Sequence, residues 1–308
     1  IYILSLVGGV IADKTKNFKR TILIGLIVMA LGYFMMAIPT PTPVPNMALY
    51  LTMTLIGLFV IAFGNGLFKG NLQALVGQMY DRGNYSDDKR GSGFQIFYMF
   101  INVGAVVAPF IAPGIRTWWL QQKGFLYNAE LPSLCHAQLK GTISAESADK
   151  FQTWANEATI SAAPVTDLTA FANNYLNIFT EGFHYAFGVA IIAMGISFVI
   201  YIANKKWFPD PANAAAKHDE SKGESRPVEM DIKEVRQRIY ALLAVYGVVI
   251  FFWFSFHQNG LTLTFFARDY TLLNFAGVSL SVESFQAMNP FFVVFLTPVI
   301  IAFFGWLK

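Results

Sequence analysis

Charge is the scarcest commodity in this sequence: Asp, Glu, Lys and Arg make up only 13% of its 308 residues, about half their usual share in a soluble domain. That shortage excludes an ordinary soluble fold. Cysteine is nearly absent too, and Cys135, standing alone, rules out an internal disulfide while saying little about compartment. The net charge of +3 is small and the basic residues sit between apolar runs, so nucleic acid is not an expected partner. Paired metal ligands, a phosphate-cradling loop and a nucleophile constellation are all lacking; no metal, cofactor or enzyme chemistry is expected. Glu181 and His184, three residues apart, are read as a solvated helix end rather than a metal pair. The opening apolar run also lacks the basic lead-in of a signal peptide.

What is present is apolar, with 55% hydrophobic and 16% aromatic residues, arranged as an all-α membrane protein of about seven helices. The expected helices are Ile1 to Ala12, Thr21 to Ile38, Met47 to about Tyr80, Gly91 to Pro113, His184 to Trp207, Ile239 to Phe266 and Ser284 to Leu307. The first would be about 18 Å long, too short to span a bilayer, and Lys308 directly follows an apolar run; both suggest a piece of a longer protein. Residues 116–180 fall in hydropathy and carry Trp118, Trp119 and Trp154, which marks a small extramembrane insert with tryptophans suited to the interface. Residues 209–238, rich in Pro, Ala, Lys and Glu, read as a linker ending in a short surface helix. It divides the chain into bundles at 1–208 and 239–308.

Of the 22 lysines and arginines, 15 lie in loops 13–20, 81–90 and 204–238, against five on the opposite side. By the positive-inside rule the first set is cytoplasmic, and the insert and the proline-rich loop 39–46 face outwards. A plasma membrane is the expected location.

Within the apolar helices one residue dominates. Lys69 follows a run without charge from Met47 to Phe68, and the next charge is Asp81, twelve residues on, or roughly 18 Å along a helix. A cation at such depth faces a water-filled cavity or a carboxylate and marks an ion or substrate path; the bland alternative is a lysine snorkelling from a helix end. Gly64, Gly66 and Gly70 let another backbone or a ligand approach this stretch closely. His257 lies 19 residues after Arg238 and 11 before Arg268, again near mid-depth, where it could carry a proton or sit neutral against a carbonyl or Asn259. Trp253, four residues earlier, shares its helical face. Asn102 and Asn289 must find partners in their apolar helices; helix-to-helix hydrogen bonding is the plain reading of each, and Asn289 also precedes Pro290 at a helix start.

Taken together, GGVIAD with its basic loop (Gly8 to Arg20), GNGLFKGN (Gly64 to Asn71), FYMFINVG (Phe97 to Gly104), the stretch Phe252 to Thr271 and FQAMNP (Phe285 to Pro290) resemble the proton-coupled oligopeptide transporter family. This family belongs to the major facilitator superfamily of helical bundles. GNGLFKGN is similar to its GTGxFKPN motif and FYMFINVG to its FYxxINxG signature. The resemblance runs along nearly the whole chain and implies the second to eighth of twelve family helices. It implies a symporter importing di- and tripeptides with protons by alternating access, working as a monomer in the lipid bilayer and without a cofactor. Lys69 would couple protons and receive the peptide carboxylate, Asn102 and Asn289 would contact peptide, and Trp253 would form a pocket wall. Two departures stand out: Gly70 replaces the family's usual proline, and His257 occupies a place where many members carry glutamate, leaving proton coupling to Lys69 and a histidine. The rival readings are a same-fold carrier of a drug, sugar or nitrate and, from another class, a membrane-embedded enzyme or receptor.

Overall fold

In lipid an apolar run can satisfy its backbone polar groups only by coiling, and these runs coil. The computed structural model of the protein describes residues 2–15, 17–82, 87–161, 163–209, 231–275, 278–279 and 281–307. Its helices are α1 (Tyr2–Thr15), α2 (Phe18–Ala37), α3 (Met47–Arg82), α4 (Asp87–Gln122), α5 (Leu131–Leu139), α6 (Ala145–Glu157), α7 (Leu168–Asn204), α8 (Ile232–His257), α9 (Thr262–Tyr270) and α10 (Met288–Trp306). The strands among the described residues are Asn274–Phe275 and Val278–Ser279, a short antiparallel pair. With α8 and α9 counted as one path, six stretches among the described residues are long and apolar enough to cross a membrane; of the seven expected helices the first, α1, has only 14 residues and is not among them. This is a multi-pass integral membrane protein.

The chain forms two compact units, one from Ile1–Arg90 and Ile111–Asp210 and the other from Gly91–Phe110 and Pro211–Lys308. The candidate linker falls largely at 210–230, outside the described residues.

The first unit is built on α3, which packs along α2 on one side and against α1 on another. Without hydrophobic drive between helices in lipid, such contacts depend on close packing of small residues. A methyl group built on Gly64 would lie 2.6 Å from the Met29 nitrogen and 2.8 Å from the Gly25 carbonyl oxygen, both backbone atoms of α2. One on Gly66 would lie 2.6 Å from the Leu4 carbonyl of α1. The helix pairs therefore meet backbone to backbone. α7 braces α2 near both its ends: the Tyr201 hydroxyl donates to the Lys19 carbonyl at 3.0 Å, while Asn177 Oδ1 accepts from the Thr42 N–H at 3.3 Å.

The insert is smaller than expected, because α4 continues to Gln122 and α7 begins at Leu168. Asp167 caps α7, accepting from the backbone N–H groups of Thr169 and Ala170 at 2.9 Å. The first turns of α7 turn Phe171, Ala172, Tyr175 and Leu176 into a core shared with Leu120, Phe125, Leu131, Cys135 and Phe151. The segment thus extends the helix because its apolar face has protein to cover it, although its overall hydropathy is low. Tyr175 closes this core: its hydroxyl accepts from the Asn128 N–H at 3.0 Å and donates to the Leu126 carbonyl at 3.2 Å. Cys135 is fully buried there, and burial pushes its thiol up to about 12.

In the second unit the expected single helix from Ile239 to Phe266 is two. The surface helix assigned to the linker is the first turns of α8, which begins at Ile232 behind an Asp231 cap. At the other end α8 stops at His257; a 3-10 turn, Gln258–Gly260, follows, and Leu261 leaves the helical region at φ −121° and ψ −72°. Gly260 lowers the cost of the break, and its carbonyl accepts from the Thr264 hydroxyl at 3.3 Å, while the Thr262 hydroxyl donates to the Gln258 side chain, Oε1, at 2.5 Å across the turn. A 3-10 stretch, Val282–Ala287, precedes α10, so that helix starts four residues later than expected.

Two outcomes are expected from this packing. Gly64→Val in the full-length protein forces α2 and α3 apart and costs about 2 kcal/mol or more, read as a lower melting temperature in detergent. Cys135 is held as the neutral thiol, so its contribution to stability is intact below pH 9 and is lost as the pH rises from 9 towards about 12. At pH 8 its alkylation by N-ethylmaleimide, followed by peptide mass mapping, will be slower in the native protein than in denaturant by at least about tenfold.

Candidate functional site

The glycines that bring α3 against α1 and α2 also determine what the rest of the GNGLFKGN segment faces. Gly64, Gly66 and Leu67 are buried in the helix contacts, and Lys69 is exposed on the unit's surface. Asn71, by contrast, is 2% exposed. Its Nδ2 donates to the Gly8 carbonyl of α1 at 3.1 Å and to the Leu67 carbonyl of its own helix at 2.8 Å. Both amide hydrogens are thereby used. One helical turn before Lys69, the Asn65 carboxamide oxygen is buried without a hydrogen-bond partner among the described residues.

The other candidates stand in the second unit. Asn102 is 8% exposed, and its Nδ2 bonds the Tyr98 carbonyl at 2.9 Å, one turn back on α4; the carboxamide is satisfied within its own helix. Trp253 and His257 are brought together on the last turn of α8, with ring centroids 5.7 Å apart, and Phe256 packs edge-on to Trp253 at 5.2 Å. His257 is the last residue of α8. Asn289 sits in the first turn of α10, directly after the 3-10 stretch whose Gln286 donates to the Thr264 hydroxyl of α9 at 3.4 Å. A broken membrane helix exposes backbone groups at mid-depth, which is where secondary transporters place substrate and coupling-ion sites.

Two polar residues have structural duties the sequence reading did not assign. His184 is no solvated helix end: its Nδ1 lies 2.7 Å from the Met36 carbonyl, and its Nε2 accepts from the Thr40 N–H at 3.1 Å. An accepting Nε2 requires the proton on Nδ1, which then donates to Met36. This neutral tautomer staples the end of α2 and its following loop to α7. Arg116 is 4% exposed, its guanidinium 3.9 Å from the Tyr127 ring centre and 5.0 Å from that of Phe183. Nearby, Gly182 leaves room for the Arg116 backbone and side chain. Sequence hydropathy has no signal for either; both roles need partners more than ten residues away.

The profile described as "PTR2: POT family" matches residues 19–220 and 215–305, together well over half of the chain. The chain belongs to the POT family. Its relatives include the "Dipeptide and tripeptide permease B" of Yersinia enterocolitica, 26% identical over 97% of this chain and 54% of the relative. The "Di-/tripeptide transporter" of Lactococcus lactis subsp. cremoris is 24% identical over 98% of the chain and 57% of the relative. This POT-family chain thus spans about half the length of the curated relatives it matches. Among solved structures, a mutant of the peptide transporter POT in complex with alafosfalin superposes with a TM-score of 0.58 at 21% identity, covering 100% of this chain and 57% of that one. The same transporter in complex with sulfate gives 0.54 at 22%, covering 100% and 58%. The fold is therefore that of a POT transporter, an all-α membrane protein of the major facilitator type, and the family is one of transporters rather than enzymes.

Replacing His184 by alanine removes both hydrogen bonds of the staple. In the full-length protein this will cost about 1 to 3 kcal/mol and speed proteolysis at loop 38–46, followed by limited digestion and mass spectrometry.

Proposed function

We propose that the protein to which this chain belongs is a proton-coupled symporter importing di- and tripeptides by alternating access, with the expected plasma-membrane orientation: loops 13–20, 81–90 and 204–238 on the cytoplasmic side. Lys69 carries the reading. It is a cation in the middle of an apolar helix of a POT-family chain, held on a helix whose neighbouring face is closed by packing. Such a charge is costly in a membrane and is kept where it meets an anion. The relatives, di- and tripeptide permeases, supply the anion's class: a free peptide ends in a carboxylate.

In this reading Lys69 binds either the peptide carboxylate or a protein carboxylate, and protonation of the latter releases the lysine for substrate. Asn102 and Asn289 contact the peptide backbone, and Trp253 forms an apolar wall. His257, beside Trp253 at the end of α8, takes up and releases a proton during the cycle, in the role that a glutamate fills in many family members. A histidine is positive when protonated and a glutamate negative when deprotonated, so the charge that this position can offer differs in sign. The carrier works as a monomer, its N-terminal bundle joined to the C-terminal one by the linker.

The test is uptake of a labelled dipeptide by the full-length protein in proteoliposomes, with and without an inward proton gradient. Gradient-driven uptake suppressed by excess unlabelled tripeptide is expected, and Lys69→Ala will abolish the driven component. Undiminished driven uptake by Lys69→Ala would remove the lysine from the mechanism, and insensitivity to tripeptide would point to another cargo.

A further inference from the structure

Asn71 is the one asparagine of the described α3 whose amide bridges two helices. It joins the GGVIAD segment of α1 to the GNGLFKGN segment of α3, through Gly8 in the first and its own side chain in the second. The contact exists because the backbones are already close: a methyl group on Gly8 would run into the Gly66 carbonyl oxygen. At a surface 2% exposed, an apolar side chain of the same volume would pack as well and spare the cost of burying an amide. What the amide adds is direction. Its bond to Gly8 can form at one rotation and one axial register of α3 on α1, as a single buried asparagine fixes register in a coiled coil.

That rotation determines where Lys69 points. Residues two apart on a helix lie about 160° apart around its axis, so a helix whose position 71 is bonded to α1 presents position 69 on the side opposite that bond, about 60° round from Gly66, whose backbone also meets α1. Lys69 is exposed there, while Gly66, Leu67 and Asn71 are buried. Position 70, where the family usually has proline, is glycine here, and a Cβ on it would meet only the Ser5 carbonyl oxygen, at 3.8 Å. The backbone beside Lys69 thus has neither the φ restraint of proline nor a tight side-chain contact to hold it.

We infer that Asn71 is a positioning residue for Lys69: its bond to the Gly8 carbonyl sets the rotation of α3 that aims the lysine away from α1. The inference rests on the proposed role of Lys69 for its transport consequence, but its geometry can be tested without transport. In the full-length protein with other reactive thiols replaced, Lys69→Cys supplies a thiol at the position in question. Its labelling rate by a small charged methanethiosulfonate reagent is measured alone and combined with Asn71→Leu or Asn71→Ser. Leucine keeps the volume and loses both bonds. Serine keeps a hydroxyl that can bond the Leu67 carbonyl of its own helix but is too short to reach Gly8.

Both double variants are expected to change the labelling rate at position 69 by about fivefold, the scale that one buried hydrogen bond controls. With Lys69 present, Asn71→Ser is expected to shift the pH profile of dipeptide uptake. An unchanged labelling rate in protein that is folded by its melting transition would make Asn71 a mere strut and overturn the inference; should the leucine variant fail to assemble, the serine variant decides. Normal uptake by Lys69→Ala would remove the lysine's role and leave the labelling result standing, so the two failures are told apart.

Discussion

The backbone-to-backbone approach of α3 to α1 and α2 is the constraint on which the first unit depends. Helices in a bilayer gain nothing by hiding apolar side chains from lipid, so they associate through tight van der Waals contact and the few polar bonds it permits. Gly25, Gly64 and Gly66 remove the side chains that would hold the axes apart. Once the backbones are within reach, Asn71 can bridge from α3 to Gly8. The polar bond is a consequence of the steric one. Lys69 then owes its exposure to both, since the face opposite the contacts is what remains.

A second level of bracing joins α7 to the two ends of α2. Tyr201 bonds the Lys19 carbonyl in the first turn of α2, and His184 with Asn177 bonds the Met36 carbonyl in its last turn and the Thr40 and Thr42 N–H groups beyond it. The His184 and Asn177 side chains take up carbonyl and amide groups that the chain leaves unpaired where α2 ends, which is where a membrane protein has most polar backbone to satisfy. The insert continues the same helix into a core of its own, where Phe125, Phe151, Phe171 and Tyr175 meet edge to face or stacked at centroid distances of 5.5 to 6.0 Å. Its stability comes from burial in water rather than from packing in lipid, so one helix draws on two different solvents along its length.

In the second unit the interruption after His257 places a titratable ring, two carboxamides and a glycine at a helix end. A histidine at that place offers positive charge when protonated, where a carboxylate would offer negative charge when deprotonated. Trp253 lies one turn back on the same helix, its ring tilted by 32° to that of His257 at 5.7 Å between centroids.

The sequence by itself determined the class of the protein, the presence of an insert and the candidates Lys69, Asn102, Trp253, His257 and Asn289. It could do so because lipid imposes a single secondary structure on long apolar runs and makes every polar residue inside them conspicuous. Only tertiary structure decided which polar residues are already satisfied. Asn102 bonds its own helix, Asn71 bonds another, and His184, which hydropathy assigns to solvent, is fixed to a loop 144 residues away in sequence. The same is true of helix limits: α7 begins at Leu168 because insert residues cover its apolar face, and α8 ends at His257 because Gly260 and neighbouring hydroxyls make a break inexpensive. Hydropathy measures a residue's preference for a solvent; it carries no record of which distant groups will take that solvent's place.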